Sequence, residues 1–381
     1  MCPKTYQLRH QERSITMLID IATASPPYKV LQSNAMDELK IRMADRPAIA
    51  RMIDAASTHS GIATRYFVIP DGIVSNEEKF YSKESNYIRP GTKARMTEYE
   101  KWSKELTAEA VQKLLLINGV DPGKINRLIT ISCTGFFAPG LDYHLIHTLK
   151  LPGTVKRTHI GFMGCAASLI GFNSVLEAMN SASNDEETNT LLVSVELCSL
   201  HLQTEPTKDN ILANMIFADG AAAALFSNSP SLKSKTLLKI ISTKSILFDD
   251  SAEFMGWKIG DFGFEMMLST ELPKIILERA VPALKKIFDD LGIKKEEINH
   301  WALHPGGRAI LDSLQKGLEL TDEEMKPSRD VLKNFGNMSS SSILFVLKEI
   351  LQTKTIKQND LCCAIAFGPG LSMEVAMLKG V

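Results

Sequence analysis

Apolar residues along this chain alternate between near-continuous runs and segments with a helical repeat. Runs such as 189–197 and 360–367 carry little charge, which is typical of strands buried on both faces of a sheet. One of the helical segments opens at Pro273 and closes at Gly292. Pro282 lies inside it and predicts a kink or a split into two helices, because proline lacks the backbone donor. The alternation predicts an α/β fold.

The pattern also repeats along the chain. Residues 110–135 parallel 280–307 at an offset of 173, and residues 164–178 parallel 336–350 at an offset of 172. Two further strands follow in the same order each time. Three blocks in the same order with a nearly constant offset predict a duplicated architecture of stacked α/β layers. The two predicted halves are residues 1–228 and 229–381.

Composition restricts the possible functions. The chain has 381 residues, 44% hydrophobic and 23% charged, so it is long and apolar enough for two units with their own cores. Its net charge of −1 provides no field that would attract a nucleic acid or an anionic membrane. The N-terminal residues are polar, and no uncharged apolar stretch is long enough to cross a bilayer. We expect a cytoplasmic protein without nucleic-acid partners or membrane insertion.

The cysteines and histidines predict neither a disulfide framework nor a metal site. Six cysteines are too sparse in this chain for a disulfide scaffold, and none forms a CxxC pair. The eight histidines include no HExxH motif and no pairing with cysteine at zinc-finger spacing. We therefore expect reduced thiols and no bound metal.

One cysteine is distinguished by its position. Cys165 lies between a glycine turn and the start of a predicted buried helix, in the segment GFMGCAASLIGF. Unpaired N–H groups and the positive end of the helix dipole favour a thiolate there, so we expect a lowered thiol pKa. The alternative is an inert thiol that fills a gap in the core.

Two polar residues of the second half lie at comparable element ends. His304 ends an apolar strand directly before a Pro-Gly-Gly turn, and Asn337 begins a helix opposite Cys165 in the duplication. Each has a structural alternative, since His304 could satisfy a buried turn and Asn337 could cap its helix. Their matching placement favours convergence with Cys165. The thiolate would then attack a thioester carbonyl, while the imidazole and amide N–H groups stabilise an enolate oxygen.

Four motifs occur in order along the chain: GFMGCAA around Cys165, WALHPGG around His304, FGNMSS around Asn337 and AFGPGLSMEVAML at 366–378. Together they resemble the type III polyketide synthases of the chalcone synthase-like group, and the likeness covers nearly the whole chain. The resemblance implies a thiolase-like fold with an internally duplicated αβαβα core, a homodimer, and a catalytic triad of Cys165, His304 and Asn337.

The resemblance also implies a reaction. An acyl starter passes from coenzyme A to Cys165, malonyl-CoA loses CO₂ to give an enolate, and the enolate attacks the bound acyl group. The chain grows by repeated condensation and then cyclises to a pyrone or phenolic product. The substrates are acyl-CoA and malonyl-CoA, and neither a cofactor nor a metal is required.

Further positions match substrate-contacting residues of the family. Phe217 matches the gatekeeper phenylalanine between the coenzyme tunnel and the cavity. The loop of Gly368, Pro369 and Gly370 resembles the one that shapes the cavity floor, where glycine permits close backbone approach.

Other positions depart from the plant enzymes. Cavity-lining threonines correspond to Cys198 and His201, and a dimer-crossing methionine corresponds to Ala138. These changes, together with the segment 255–269, resemble microbial members of the family. A small residue at 138 would open room for a longer substrate. Cys198 has an equally plain alternative as a packed thiol at a strand end.

The coenzyme-binding residues are only partly matched. Plant enzymes carry a basic cluster on the helix that matches AIARMIDAAS, where Arg51 aligns but the neighbouring positions are Ala48 and Ala55. Phosphate contacts must then come partly from elsewhere. The further candidates are Arg42, Arg46 and Arg95.

Two rival functions stay open. A β-ketoacyl-ACP synthase III shares the Cys, His, Asn triad but performs a single condensation with an acyl-carrier protein. A catalytically silent thiolase-fold binding module is the alternative of another class. Phe217 and the C-terminal Gly-Pro-Gly loop favour the polyketide synthase over the first, and the intact triad argues against the second.

Overall fold

The structure is a computed structural model that describes residues 16–43, 47–71, 80–81, 89–181 and 187–381. The strands are β1 (Met17–Ala24), β2 (Tyr28–Leu31), β3 (Thr64–Phe67), β4 (Arg127–Ser132), β5 (Lys156–Gly161), β6 (Asn189–Leu197), β7 (Asp219–Ser227), β8 (Leu238–Leu247), β9 (Met255–Gly260), β10 (Gly263–Leu268), β11 (Ile298–Leu303), β12 (Leu361–Gly368) and β13 (Ser372–Gly380). The helices are α1 (Gln32–Met43), α2 (Pro47–Thr58), α3 (Thr92–Asn118), α4 (Leu141–Leu149), α5 (Ala167–Ser181), α6 (Lys208–Ile216), α7 (Leu272–Ile275), α8 (Val281–Leu291), α9 (Arg308–Leu318), α10 (Asp322–Phe335) and α11 (Ser342–Thr353).

Strands from both ends of the chain form one large mixed sheet in the order β11-β12-β13-β8-β1-β7-β6-β4-β5. Strand β4 runs parallel to β5 and β6, and β11 runs parallel to β12, while the other neighbours are antiparallel. Strands β1 and β8 meet at only two pairs, Met17 with Lys239 and Leu18 with Leu238. The sheet therefore consists of two well-paired pieces that share a narrow junction.

Two helices lie between these pieces. Helix α5 contacts β4 and β6 of one piece and β8, β12 and β13 of the other, and α11 contacts β1, β7, β11 and β12. Residues 342–347 of α11 are all buried, as expected for a helix with sheets on both sides. Helix α3 packs on the outer face of β1, β6 and β7, and Phe288 of α8 meets Trp301 of β11 edge to face. The predicted layered, thiolase-like α/β fold is confirmed.

The predicted buried strands are also present. Every residue of β6 and β7 is buried, in keeping with strands that have helices on both faces. Strand β7 carries four successive alanines, from Ala221 to Ala224, which keep its side-chain volume small. Within the described ranges, no helix combines the length and the apolar composition needed to cross a bilayer.

The helix limits follow the glycines and prolines. Gly119 and Gly292 end α3 and α8 in the left-handed conformation, with φ of 59° and 64°. The segment from Leu272 to Leu291 is interrupted by a π-helical stretch, Ile276–Ala280, and α8 restarts with Pro282 in its first turn. The predicted split at Pro282 is therefore confirmed. Placing a boundary between the halves at 228/229 stays a prediction.

One detail of the duplication is wrong. The 3₁₀ turn Gly164–Ala166 leads into α5, and the equivalent turn Ser339–Ser341 leads into α11, 175 positions later. The counterpart of Cys165 is therefore Ser340 and not Asn337. The sequence match had paired Gly164 with Gly336, but Gly336 ends α10 and does not belong to the turn.

Candidate active site

Cys165 lies in a tight turn that leads directly into α5. The backbone of Gly164 has φ +65°, and a Cβ there would lie 2.2 Å from Cδ of Pro369. Glycine is required because a side chain would collide with the loop between β12 and β13. The Cys165 side chain is 8% exposed, and its Sγ lies 3.6 Å from Oγ of Ser339. The turn thus directs the thiol toward the segment that precedes α11.

Burial governs the protonation of this thiol. It raises the pKa of Cys165 to about 12, while the hydrogen bond to Ser339 lowers the pKa and nearby Glu196 raises it. The expected lowering of the pKa at a helix start is therefore wrong for the resting protein, because lost solvation outweighs the helix dipole. Cys165 stays a neutral thiol until another group takes its proton.

Asn337 lies in an extended segment between α10 and the turn before α11. Its Oδ1 accepts from the N–H of Ser339 at 2.9 Å, and its Nδ2 donates to the carbonyl of Gly306 at 3.4 Å. A hydrogen bond from the Asn337 side chain also lowers the pKa of Cys165. The bond to Ser339 is a local turn contact, as the structural alternative anticipates. The same amide nevertheless reaches the thiol and the loop that follows β11.

His304 follows β11 and is 3% exposed. Neither ring nitrogen has a hydrogen-bond partner among the residues that the structure describes. Burial lowers the pKa of His304 to about 3, so the ring is neutral. A Cβ placed on Gly306 would lie 3.6 Å from His304 Nε2, and the Gly306 carbonyl accepts from Asn337. Gly306 therefore contacts both side chains, and an unpaired buried imidazole is poised for a ligand.

Three cavities lie in this part of the structure, of which Cys165 lines one and Gly306 another. The thiol cavity has a volume of about 30 Å³ and is lined by Cys133, Thr134, Gly164, Cys165, Cys198, Phe217, Met255, Gly256, Trp257, Met266, Ser339 and Pro369. The inner chamber has a volume of about 70 Å³ and extends from Cys198 and His201 to α1. The outer groove has a volume of about 300 Å³ and lies between α2, α6 and the loop 306–310.

A shared wall separates the thiol cavity from the inner chamber. Cys198, Phe217, Trp257 and Met266 line both spaces. The Trp257 indole is fixed in this wall because its Nε1 donates to the carbonyl of Cys133 at 2.7 Å. Helix α6 similarly separates the inner chamber from the outer groove, since its residues line one or the other.

The predicted cavity residues are only partly brought together. Cys198, Phe217 and Pro369 line the thiol cavity. His201 lines the inner chamber, where its Nε2 bonds the Thr134 carbonyl at 2.7 Å and its Nδ1 accepts from a backbone N–H. With both nitrogens engaged, His201 holds the wall together. Ala138 is exposed on the loop before α4.

The glycines of the loop after β12 allow close packing. A Cβ on Gly368 would lie 2.7 Å from the carbonyl of Met163, and Gly370 has φ +123°. Pro369 between them contacts the turn of Cys165, as described above. The loop therefore forms one wall of the thiol cavity, in the region where the resemblance places the cavity floor.

Two family models match the chain. Residues 38–254 match the model of a family described as FAE1/Type III polyketide synthase-like protein, and residues 239–381 match chalcone and stilbene synthases, C-terminal domain. The chain belongs to the type III polyketide synthases. These enzymes are malonyl-CoA-dependent acyltransferases, so the predicted enzyme class is confirmed.

Individual relatives of this type III polyketide synthase span the whole chain. A putative chalcone synthase of Bacillus subtilis is 27% identical over 96% of this chain and 99% of its own. A 1,3,6,8-tetrahydroxynaphthalene synthase of Streptomyces peucetius is 26% identical over 100% of this chain and 97% of its own. The crystal structure of PKS-I from the brown alga Ectocarpus siliculosus has a TM-score of 0.87 at 26% identity, covering 97% of this chain and 100% of that one.

The basic residues of the synthase are placed differently from the prediction. Arg51 is exposed on α2, whereas Arg42 pairs with Asp71 at 2.8 Å and faces the inner chamber. Arg95 is 1% exposed and donates to the backbone carbonyls of Pro90, Leu200 and Leu202. The suggestion that Arg95 binds phosphate is therefore wrong, because its guanidinium is buried and engaged. Arg46 lies outside the described residues.

Sequence reasoning did not find two basic residues beside the outer groove. Arg308 begins α9, four positions after His304, and His59 follows α2; both line the groove. His59 lies just beyond the C-terminal end of α2, eight positions after Arg51. The nearness of Arg308 to the His-Pro-Gly-Gly motif was the available signal, since a helix start after such a turn borders the same space.

Sequence reasoning also did not single out a buried carboxyl behind Cys165. Glu196 Oε2 accepts from the N–H of Cys133 at 3.0 Å and from Oγ1 of Thr134 at 2.8 Å, and Oε1 accepts from Ser340. Burial raises the pKa of Glu196 to about 7. The carboxyl therefore ties the strand end before Cys133 to the turn equivalent to that of Cys165. Among the described residues, no cluster of His, Cys, Asp or Glu side chains could hold a metal ion.

Proposed function

We propose that this synthase loads an acyl starter from coenzyme A onto Cys165 and extends it with malonyl-CoA, using His304 and Asn337 for decarboxylation. The extended chain then cyclises to a pyrone or phenolic product. One observation carries the proposal: the thiol of Cys165 lies against Ser339, whose N–H donates to the side chain of Asn337, and the same amide donates to the carbonyl of Gly306, which packs against the unpaired imidazole of His304.

Loading requires the proton of Cys165 to move. Burial penalises an isolated thiolate and an isolated imidazolium alike. Transfer of the thiol proton to His304 creates both charges together, so that each stabilises the other. The thiolate then attacks the thioester carbonyl, the bond to the coenzyme sulfur breaks, and the departing thiolate takes the proton back from the imidazolium. Because burial disfavours each charge alone, it favours a proton transfer that forms the thiolate of Cys165 and the imidazolium of His304 together.

Decarboxylation uses the neutral form of His304. A neutral imidazole donates one N–H, and Nδ2 of Asn337 supplies a second donor. With the malonyl carbonyl between them, the bond to the carboxylate breaks, CO₂ leaves and the electron pair forms an enolate held by both donors. The enolate carbon attacks the acyl group on Cys165. No general base is needed, because loss of CO₂ generates the carbanion.

The outer groove is the proposed route for both thioesters. Gly306 and Gly307, which closely follow His304 in the chain, line this groove together with Arg308 and His59. The resemblance had assigned Arg51 to the coenzyme phosphates. We propose that Arg308 contributes to the same task, because a guanidinium forms paired hydrogen bonds with phosphate oxygens.

Arg308→Ala tests this assignment. We expect KM for acyl-CoA to rise about ten-fold, equivalent to about 1.4 kcal/mol of binding, with little change in kcat. Steady-state kinetics should show no such rise for an acyl thioester of N-acetylcysteamine, which lacks the nucleotide. Arg329→Ala is the matched control, because Arg308 and Arg329 both pair with Asp312. Equal effects of the two variants would contradict a role in phosphate binding.

We also propose that the synthase is a homodimer joined along β5. Within the described residues this edge of the sheet pairs only with β4, and Lys156 to His159 are exposed on it. Phe136 and Met163 flank the strand with 55% and 45% exposure. An exposed strand edge beside large apolar side chains is suited to pairing with a second copy about a two-fold axis.

Light scattering on the purified protein tests the dimer. We expect twice the chain mass of 42.1 kDa. Phe136→Glu should shift the population toward the monomer, because it places a charge in the contact. Leu116→Glu, at a side chain that is 83% exposed on α3, should leave the mass unchanged. A monomeric unmodified protein at micromolar concentration would contradict the proposal.

The overall proposal is tested by products. Purified enzyme is incubated with malonyl-CoA and a panel of acyl-CoA starters, without carrier protein, and the products are identified by mass spectrometry. Pyrones or phenolics containing several malonyl-derived units are expected. Strict dependence on an acyl-carrier protein, or a single condensation only, would instead favour the β-ketoacyl synthase alternative. We place this activity in the cytoplasm, where both coenzyme A thioesters are available.

A further inference from the structure

A buried arginine lies behind the proposed gate residue. Arg65 on β3 is 2% exposed, and its Nε donates to Oε1 of Gln32 at 2.9 Å. Its Nη1 donates to the carbonyls of Asn214 at 2.8 Å and Phe217 at 2.7 Å. Gln32 in turn donates to the carbonyl of Met215 at 3.0 Å. Two side chains thus bind three carbonyls at the end of α6.

These carbonyls need a cationic partner. The last carbonyls of a helix accept no hydrogen bond from the N–H groups of that helix, and they form the negative end of its dipole. Helix α6 ends at Ile216, and Phe217 directly follows. Helix α6 separates the outer groove from the inner chamber, and Phe217 lines the thiol cavity. The guanidinium of Arg65 therefore fixes the end of the helix that lies between these spaces.

The same arginine also touches the segment of Asn337. The N–H of Asn337 donates to the carbonyl of Ile216 at 2.9 Å, and the N–H of Ala218 donates to the carbonyl of Asn337 at 2.8 Å. A Cβ on Gly336 would lie 2.9 Å from Cγ of Arg65, and Gly336 has φ +71°. The backbone of Asn337 is therefore hydrogen-bonded to Ile216 and Ala218. These two residues flank Phe217, whose carbonyl accepts from Arg65.

Arginine is better suited than lysine to this place. Burial lowers the pKa of Arg65 to about 9, and Asp219 opposes that shift, so the side chain remains a cation at neutral pH. The planar guanidinium presents donors in fixed directions to Gln32 and to two backbone carbonyls at once. Lysine would keep the charge but would lose this geometry.

We propose that Arg65 is a positioning residue that holds Phe217 and Asn337 in one register, and thereby sets both the rate of malonyl-CoA decarboxylation and the choice of acyl starter. This inference rests on the proposed function. Arg65 acts through backbone carbonyls. Its replacement therefore shifts the side chains of Phe217 and Asn337 without removing either of them.

Arg65→Lys is compared with Arg95→Lys. Arg95 is an equally buried arginine that caps backbone carbonyls elsewhere, so it controls for the general loss of a buried guanidinium. For each variant we would measure the melting temperature, CO₂ release from malonyl-CoA, and kcat/KM for a short and a long acyl-CoA, all per folded molecule. We expect Arg65→Lys to lower kcat for CO₂ release about ten-fold or more and to change the ratio between starters. Arg95→Lys should lower the melting temperature and leave CO₂ release unchanged, because its carbonyl partners at Leu200 and Leu202 lie away from the Asn337 segment.

The outcomes separate the two proposals. If both variants lose stability but keep the CO₂ release and starter ratio of the unmodified enzyme, Arg65 is merely structural and the inference is overturned. If Arg65→Lys does not fold, Gln32→Leu is measured in the same way, since it frees Arg65 Nε without removing the cation. An unchanged Gln32→Leu enzyme would then overturn the inference. An unmodified enzyme that releases no CO₂ from malonyl-CoA would overturn both the proposed function and this inference.

Discussion

Replacing Cys165 with alanine should abolish chain elongation while leaving CO₂ release from malonyl-CoA in place. In the proposed reaction elongation requires the thiol as acyl carrier, so we expect product formation to fall by at least about 1,000-fold. Decarboxylation requires only the two donors that hold the enolate, His304 and Asn337. The variant should therefore accumulate acetyl-CoA, because the enolate is protonated when no acyl acceptor is present. Product mass spectrometry and a CO₂ assay measure the two activities separately.

Cys362→Ala is the matched control for this experiment. Cys362 is also fully buried, but it lies on β12 outside the thiol cavity. It should retain both activities. His304→Ala and Asn337→Ala should lose CO₂ release and, because elongation uses the enolate that decarboxylation forms, product formation as well. If Cys165→Ala still elongates starters, or loses CO₂ release together with elongation, the division of roles is wrong.

Gly164→Ala should strongly destabilise the synthase and disable the thiol. A non-glycine residue at φ +65° costs about 1–2 kcal/mol. The new methyl group would also lie 2.2 Å from Cδ of Pro369, and overpacking of a tight contact adds about 1–3 kcal/mol. We therefore expect a loss of about 2–5 kcal/mol in the free energy of unfolding, measured by denaturant titration.

Gly292→Ala separates the two contributions to that loss. Gly292 has nearly the same backbone angle, φ +64°, and no described atom lies within 4 Å of a Cβ placed there. This variant should lose only the part due to the backbone angle. The double variant Gly164→Ala, Pro369→Gly should recover part of the difference, because it removes the colliding ring. Equal losses for Gly164→Ala and Gly292→Ala would show that Pro369 does not restrict the turn.

The local features of the site were predictable from sequence because glycine and proline mark them. Gly164 precedes Cys165, the Pro-Gly-Gly turn follows His304, and Gly336 precedes Asn337. Each marks a place where the backbone turns sharply or two segments approach closely. The split at Pro282 follows from the same chemistry. These properties belong to single residues and their neighbours, so one chain is enough to find them.

Properties that depend on packing were missed. The Cys165 pKa is raised instead of lowered because burial is a property of the assembled core. The sequence match between the two halves concealed the true counterpart of Cys165, which is Ser340. It paired Gly164, which begins a turn, with Gly336, which ends a helix. Arg95 looked available as a phosphate ligand, yet its guanidinium is enclosed by carbonyls from a distant loop. Arg308 was overlooked because only the fold brings α9 beside α2.

Trp257, together with Cys198, Phe217 and Met266, lies between the thiol cavity and the inner chamber. The thiol cavity alone, at about 30 Å³, has room for roughly two water molecules and not for an extended acyl chain. In the proposed reaction, each added unit must therefore displace side chains of the shared wall. The length of the product would then depend on how easily the side chains of this wall move. Trp257 is held in the wall by one hydrogen bond, from its Nε1 to the Cys133 carbonyl. In the proposed reaction Cys165 would carry the growing chain, and the shared wall would limit its final length.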